Sequence, residues 1–386
     1  VQTHRTLIAR TTATIAHRGY GPGDLSFNWM PLDHVGAVVM FHLRDLAAGA
    51  GQIHAPIDLV LAEPLNWLRW MSRDRVTVSW APNFAFGLIV AEAARPGALD
   101  GIDLSALRIL INAGEAIVPR TARRFIAALA PHGLGAAVMK PEWGMSETCS
   151  AVICSDGFTL EGTTDDDMAA DLGGPVPGTA FRIVEASGMP PVGRLQVKGP
   201  TVTPGYLENP EANAEAFTAD GWFDTGDLGT MTGGRLKITG RAKDAIIVNG
   251  RNLHAHEIEA VAEDVPGVAV SWTTAFANRP AGADTDRLVV TWVPEEPVID
   301  RETVAGAIRA RIARRLGVTP AAVVAVRRED VPKTAIGKIQ RARVRADYEA
   351  GRFGGLVAAP AAGAPDQGVV ALPLARPVWR PAALRR

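Results

Sequence analysis

The sequence predicts an α/β body followed by a small, separate α+β unit. Three observations carry this. Apolar strand-like runs alternate with helix-period stretches before Gly173, short β runs between Gly and Pro turns follow it, and a further strand–helix series lies beyond Lys243. A chain of 386 residues is also long for a single core and fits about two or three folding units.

In order, Thr3 to Ala16 reads as a helix, and Leu25 to Met30 as a strand stopped at Pro31, which has no N–H to give. Pro64 to Met71 reads as a helix opening on proline, with Leu65, Leu68 and Met71 on one face. Trp67 and Trp70 in that stretch read as packing residues. Val76 to Trp80 and Leu107 to Asn112 read as strands, each running into a Gly- or Pro-containing loop, where α/β proteins place binding groups. The segments Gly173 to Gly178, Phe181 to Val184 and Gly193 to Gly199 alternate turn residues with short β runs, a mostly-β subdomain over 173–242 that closes the body of 1–242. Past Lys243, a strand from Ala245 to Val248, a helix from His256 to Glu263, a strand around Leu288 to Val293 and a helix from Thr303 to Leu316 make a separate domain over 243–348. Ala358 to Pro373, rich in Ala, Pro and Gly, reads as linker, so 349–386 is expected to lead toward another domain.

Composition excludes several classes. Hydrophobic residues make up 47% and charged residues 21%, which fits a globular protein and not a disordered one. A formal net charge of -1 gives no general attraction to nucleic acid, and Arg311, Arg314 and Arg315 read as one solvated helix face. Cys149 and Cys154 are too few for a disulfide framework and have no zinc-type spacing, so they read as partly buried thiols in a reducing compartment. No apolar run approaches the roughly 18 residues of a membrane helix, and no signal-peptide pattern opens the chain. A cytoplasmic location without nucleic-acid or membrane partners is expected.

Three loops carry the chemistry. They are Gly221-Trp222-Phe223-Asp224-Thr225-Gly226-Asp227-Leu228, then Gly240-Arg241-Ala242-Lys243-Asp244 through Asn249-Gly250-Arg251, then Pro332-Lys333-Thr334-Ala335-Ile336-Gly337-Lys338-Ile339. In this order and spacing the loops resemble those of the acyl-adenylate-forming (ANL) enzyme superfamily. The upstream run Gly205-Tyr206-Leu207, Asn209-Pro210, Phe217 and Gly221-Trp222 is similar to the same family.

The resemblance implies roles residue by residue. Lys338, Glu147 and Thr148 would be catalytic, with Lys338 between the carboxylate and the α-phosphate and Glu147 holding Mg²⁺. Gly114, Glu115 and Ala116 would line the adenine pocket. Trp143-Gly144-Met145-Ser146 would bind nucleotide, Trp143 offering its ring to adenine, Gly144 letting backbone approach, and Ser146 and Thr148 placing hydroxyls near phosphate. Read alone, that segment is better described as a helix N-terminus with capping side chains, and it is the surrounding set of loops that favours the nucleotide. Asp227 would take the ribose hydroxyls and Arg241 the ribose or phosphate. Lys243 falls at the hinge of a mobile C-terminal lid, and Gly250 lines the thiol tunnel. Asp33, His34 and Asn83 would belong to the acyl pocket. Amino-acid-selecting relatives place an aspartate where His34 stands, so an acid without an α-amino group is expected. ATP and Mg²⁺ are the implied cofactors, and the phosphopantetheine of an acyl or peptidyl carrier protein is the implied acceptor.

The match is strongest to acyl ligase domains of polyketide and mixed polyketide–peptide synthases, through Asn28 to Gly36, Trp143 to Ser150 and Pro332 to Arg341. The family's Ser/Thr/Gly-rich phosphate loop ending in Lys is missing, and Val1-Gln2-Thr3-His4-Arg5 resembles the segment that comes directly after that loop in the family. Gly19-Tyr20-Gly21-Pro22-Gly23 is no substitute, since it lacks a lysine after its glycines. The expectation is therefore a piece of a longer protein, poorly active alone, whose tail from Ala375 to Ala382 resembles the opening of a ketoreductase region. Transfer to free coenzyme A and a non-catalytic docking unit are the competing readings. A nicotinamide dehydrogenase lacks support, there being no Gly-x-Gly-x-x-Gly turn after a first strand.

Overall fold

A computed structural model of the chain describes residues 1–187, 191–248, 251–279, 286–295, 300–334, 337–353 and 357–358. Seven strands form the first sheet: β1 (Leu25–Asn28), β2 (Gly51–His54), β3 (Val78–Ala81), β4 (Ile109–Asn112), β5 (Met139–Met145), β6 (Ser150–Cys154) and β7 (Gly174–Pro175), in the order β2-β1-β3-β4-β5-β6-β7. The pairings through β5 are parallel and the last two antiparallel. Helices α1 (His4–Arg18), α2 (Arg44–Ala48), α3 (Ile57–Ala62), α4 (Leu65–Arg73), α5 (Asn83–Ala93) and α6 (Pro119–Leu129) accompany it.

Local chemistry sets the boundaries. Thr3 caps α1 by accepting from the Thr6 N–H at 3.2 Å, and Gly19 stops the helix in the left-handed region at φ 63. The strand expected to reach Met30 ends at Asn28, because the Asn28 amide donates to the Met30 carbonyl at 2.8 Å and bends the chain out of the sheet. An eight-residue π-helix, Gly36–Leu43, then runs into α2. Trp67 is fully buried, as a packing residue should be, and its indole donates to Ser79 Oγ at 3.0 Å. Phe86 on α5 meets Phe125 on α6 edge-on at 4.8 Å.

The sheet order matters for function. From β1 the chain moves to β2 on one side and then crosses to β3 on the other. A parallel sheet that reverses winding in this way opens a crevice at the carboxyl ends of the strands beside the switch. The segments after β1, β3 and β4 carry Asp33 and His34, Asn83, and Gly114 to Ala116, while Gly144 and Met145 end β5 and Ser146 to Thr148 follow it.

A second, antiparallel sheet has the order β11-β10-β9-β8, from β8 (Ala180–Ser187), β9 (Val192–Lys198), β10 (Phe223–Thr232) and β11 (Arg235–Arg241), with α7 (Pro210–Ala216) between β9 and β10. A short 3₁₀ turn, Ala242–Asp244, leads out of it. Beyond lie the paired strands β12 (Ala245–Val248) and β13 (Arg251–His254), then a sheet in the order β14-β15-β16-β17 from Val268–Asn278, Arg287–Pro294, Ala322–Ala325 and Val357–Ala358. Helices α8 (Ala255–Glu263) and α9 (Arg301–Leu316) pack on it around the buried Trp292, and α10 (Arg341–Glu349) packs in a second cluster with Phe276, Val289 and Val293. The folded unit thus runs past the boundary expected at 348, because β17 pairs with β16. Residues 359–386 lie outside the described residues. Among those described, no helix is long and apolar enough to cross a membrane.

Candidate active site

A cavity of about 630 Å³ lies between the body and the C-terminal unit. Its wall brings together Asn83, Gly114, Glu115, Ala116, Trp143, Gly144, Asp227, Arg241 and Lys338. These come from separated stretches of sequence, and each is a residue to which the resemblance assigns a place at a ligand. The volume is of the order that encloses a small organic ligand.

Asp227 is the floor of the cavity. It is 6% exposed, and its two carboxylate oxygens are held from opposite sides. The Trp143 indole N–H donates to Oδ2 at 2.8 Å, and Arg241 Nε lies 3.0 Å from Oδ1. Burial raises the Asp227 carboxyl above its ordinary range, while Arg241 and the Trp143 bond oppose that rise. Each carboxylate oxygen has two lone pairs, so hydroxyl donors can still be accepted. Trp143 itself is 8% exposed and packs in the core. It orients the aspartate as well as lining the wall, a role that no sequence spacing announces.

The pairing of its own strand also requires a glycine at 144. A Cβ there would stand 2.1 Å from the Ser150 carbonyl oxygen and 2.4 Å from Ala151 Cα, both on the partner strand. The close pairing of β5 with β6 excludes a side chain whether or not a ligand is present.

Glu115, in the loop after β4, serves helix α5. One of its oxygens accepts the Phe84 N–H at 2.6 Å, satisfying a donor in the first turn of that helix. Burial pushes its carboxyl up, and the Phe84 bond and then Lys338 pull it back. Asn83 Oδ1 accepts from the Asn112 amide at 3.3 Å and the Val118 N–H at 3.2 Å, tying the β3 and β4 loops together.

Lys338 enters from the C-terminal unit. Its turn is closed by the Thr334 N–H donating to the Lys338 carbonyl at 2.8 Å and the Gly337 N–H donating to the Thr334 carbonyl at 2.9 Å. A methyl placed on Gly114 would lie 3.9 Å from Lys338 Nζ and 3.9 Å from the Trp80 ring, so the ammonium approaches the β4 loop close to that ring. Burial lowers the Lys338 ammonium below the ordinary lysine value, with Glu115 and Asp227 opposing and Arg241 reinforcing. His34 stacks on Trp80 at 5.9 Å, and its Nδ1 accepts the Gly36 N–H at 3.1 Å. Burial, and then the charge of Lys338, hold its imidazole below the ordinary histidine value and favour the neutral form, against the opposing charge of Asp33. Asp33 beside it is exposed.

The last residue of β5 and the turn after it are placed differently from the rest. Met145, Ser146, Glu147 and Thr148 are not part of the described cavity wall. Thr148 is fully buried: its hydroxyl accepts the Met145 N–H at 2.9 Å and lies 2.8 Å from the Ser150 carbonyl oxygen. These bonds are made within its own turn, as the capping alternative expects. Ser146 is exposed, its carbonyl accepting from the Gln2 amide at 2.5 Å. Glu147 accepts the Tyr206 hydroxyl on Oε1 at 2.9 Å, and the Tyr206 phenol is pushed up to about 12 by burial and by Glu147. The described residues contain no cluster of His, Cys, Asp and Glu built to hold a metal alone. Lys243 sits in the 3₁₀ turn between β11 and β12, and Gly250 lies outside the described residues. Three contributors carry no role that their spacing alone reveals: Trp80, Phe84 and Tyr206. Trp80 stands in β3, Phe84 in the first turn of α5, and Tyr206 in the run Gly205-Tyr206-Leu207 that resembles the family.

The chain matches the AMP-binding enzyme family over residues 1–207, more than half its length. It is 36% identical over 363 residues to the nonribosomal peptide synthetase acyN of Ascocoryne sarcoides, spanning 91% of this chain and 39% of that protein. Among solved structures, McyG A-PCP complexed with phenylalanyl-adenylate superposes with a TM-score of 0.84 at 39% identity, covering 91% of this chain and 56% of that one. A multidomain structure of a keto acid-selecting NRPS module, with adenylation, ketoreductase and pseudo-Asub domains, gives 0.83 at 38% identity over 91% of this chain and 32% of that one. The chain spans about two fifths of the length of the curated relatives it matches, near the 39% of acyN. With the cavity geometry and the family match together, the chain belongs to the AMP-binding enzymes, as an adenylation domain of the AMP-forming ligase class found in nonribosomal peptide synthetases.

Proposed function

We propose that the chain activates a carboxylic acid with ATP and passes the acyl group to the phosphopantetheine thiol of a carrier protein. One observation carries the reading: Lys338 from one folding unit and Asp227 with Arg241 from the other line a single cavity. In the first step a carboxylate oxygen attacks the α-phosphorus and pyrophosphate leaves. Lys338 offers its ammonium to the charge that builds there, while Asp227 anchors the ribose hydroxyls. In the second step the thiol sulfur attacks the acyl carbon and AMP leaves. Glu147 suits a magnesium ion, since Tyr206 fixes Oε1 and Oε2 has no protein partner among the described residues. Such an ion takes one or two carboxylates plus substrate phosphates, whose charge it would neutralise.

We place the acyl group near Trp80 and His34. A neutral imidazole gives a substrate ammonium no counter-ion, which favours an acid lacking an α-amino group. The keto acid-selecting neighbour agrees, whereas the neighbour holding phenylalanyl-adenylate at similar identity does not. Acid-dependent ATP–pyrophosphate exchange in the protein that carries this chain decides between them: exchange with a 2-keto acid and none with the matching amino acid is expected. The opposite preference would remove the substrate assignment, and no exchange with any acid would remove the activity. Thioester formation on holo-carrier protein but not on free coenzyme A is expected in the second step.

Trp143→Phe keeps an aromatic ring and deletes the indole N–H that holds Asp227. Hydrogen bonds to charged groups contribute about 1.5–3 kcal/mol, so ATP affinity measured by titration calorimetry should fall by roughly tenfold or more. Unchanged affinity would mean that Asp227 does not bear on the nucleotide.

A further inference from the structure

We propose that Arg120 and Asp264 form a latch across the seam between the two units, and that helix α8 transmits its hold to the Lys338 turn, making both positioning residues for acid activation. This rests on the adenylating function proposed for the same cavity. Arg120 stands at the start of α6 on the body, and its Nη1 bonds Asp264 Oδ2, which belongs to the other unit. Its Nη2 donates to the Ala260 carbonyl at 2.8 Å, in the last turn of α8. The carboxyl-terminal end of a helix carries partial negative charge and favours a cation there. Arg124, one turn further along α6, lies 3.5 Å from Asp264 Oδ1. From within the C-terminal unit Arg311 donates to Asp264 Oδ2 at 2.7 Å.

The pair is enclosed: the Arg120 and Asp264 side chains are 10% and 4% exposed. Charges removed from water at a seam interact more strongly than exposed ones, and they return to water when the seam opens. A further ion pair across this seam, Arg315 with Asp166, is open to solvent at the aspartate, 76% exposed, and is a weak hold.

Helix α8 connects the latch to the chemistry. Just over one turn before Asp264 it carries Glu259, whose carboxylate takes a two-point grip on Arg341: Nε to Oε1 at 2.7 Å and Nη2 to Oε2 at 2.5 Å. Arg341 lies shortly after Lys338 in the chain. One short helix therefore holds both the body and the lysine turn. A displacement of an ångström in a reacting group can cost orders of magnitude in rate, so this strut is worth as much as the precision it gives Lys338.

The test is Arg120→Met in the intact protein that carries this chain, with three measurements. Acyl-AMP formation, followed by pyrophosphate exchange, should fall about tenfold, equivalent to about 1.4 kcal/mol of docking free energy. Thioester formation from supplied acyl-adenylate should stay level or rise. The distance distribution between labels placed at the exposed Asp100 on the body and Arg314 on α9 should broaden. Asp264→Asn, acting from the other side of the seam, should give the same pattern. Arg311→Met, which removes a donor from the same carboxylate without crossing the seam, should leave the ratio of the two half-reactions near the parent's. Unchanged distances with unchanged exchange in Arg120→Met would overturn the latch, as would an equal fall in both half-reactions with unchanged distances. A distribution that broadens in Arg120→Met, in a protein whose parent forms no acyl-AMP, would support the latch and remove the adenylating function instead.

Discussion

Lys338→Ala is expected to abolish acyl-AMP formation and to spare transfer from acyl-adenylate supplied ready-made. The ammonium is aimed past Gly114 into the cavity, and among the described residues no other lysine lines its wall. Removing one preorganised donor to developing charge typically lowers a rate by about 10²–10³. Pyrophosphate exchange should drop by at least that factor, and equal exchange by mutant and parent would remove the role. The protonated amine is the working form. Burial lowers the Lys338 ammonium from 10.5, so raising the pH discharges it earlier than an exposed lysine, and the alkaline limb of exchange should lie below 10.5. Glu115 opposes that depression, so Glu115→Gln should move the limb further down. A limb that stays put would mean that Glu115 does not govern the lysine.

The second large effect is expected from Gly337→Ala. Gly337 has φ +81, and a Cβ there would meet Phe84 Cζ at 2.7 Å and Cε1 at 2.9 Å. The left-handed backbone costs a residue with a side chain about 1–2 kcal/mol, and the clash with a ring on the body is added to that. Both penalties fall on the docked turn, since a turn lifted away from Phe84 can relax. Exchange should fall by one to two orders of magnitude while the melting temperature of the protein stays close to the parent's. Adding Phe84→Ala should recover the steric share and leave the backbone share. If the double variant is no faster than the single one, the ring contact is not what holds the turn out.

Much of this was legible because it is local. The strand-like runs and the loops that end them are set by neighbours in sequence, so Val76 to Trp80 and Leu107 to Asn112 each contain most of the strand found there. The helix from Thr303 to Leu316 starts two residues earlier, at Arg301, because Asp300 caps it. Asp227, Arg241 and Lys338 could be picked out as a set because the resemblance fixed their order, although nothing in their spacing says that they meet. What was not legible depends on contacts far apart in the chain. Trp143 reaches Asp227 across 84 positions, and Arg120 reaches Asp264 across 144. The bonds that Thr148 makes within its own turn were not legible, because a hydroxyl beside an acid looks the same in sequence whether it faces a ligand or its own backbone. The π-helix Gly36–Leu43 was missed because an apolar run of that length carries no sign of its extra residue per turn.

A chamber built half from one unit and half from the other behaves thermally as a shared possession. With nothing in it, each unit can unfold at its own temperature, and calorimetry of the protein should resolve two overlapping melts. A stable acyl-adenylate mimic that fills the chamber touches both walls, so it cannot stay bound when either one melts. Its binding energy then protects the two together, rising with ligand concentration, and the two melts should fuse into a single sharper one at higher temperature.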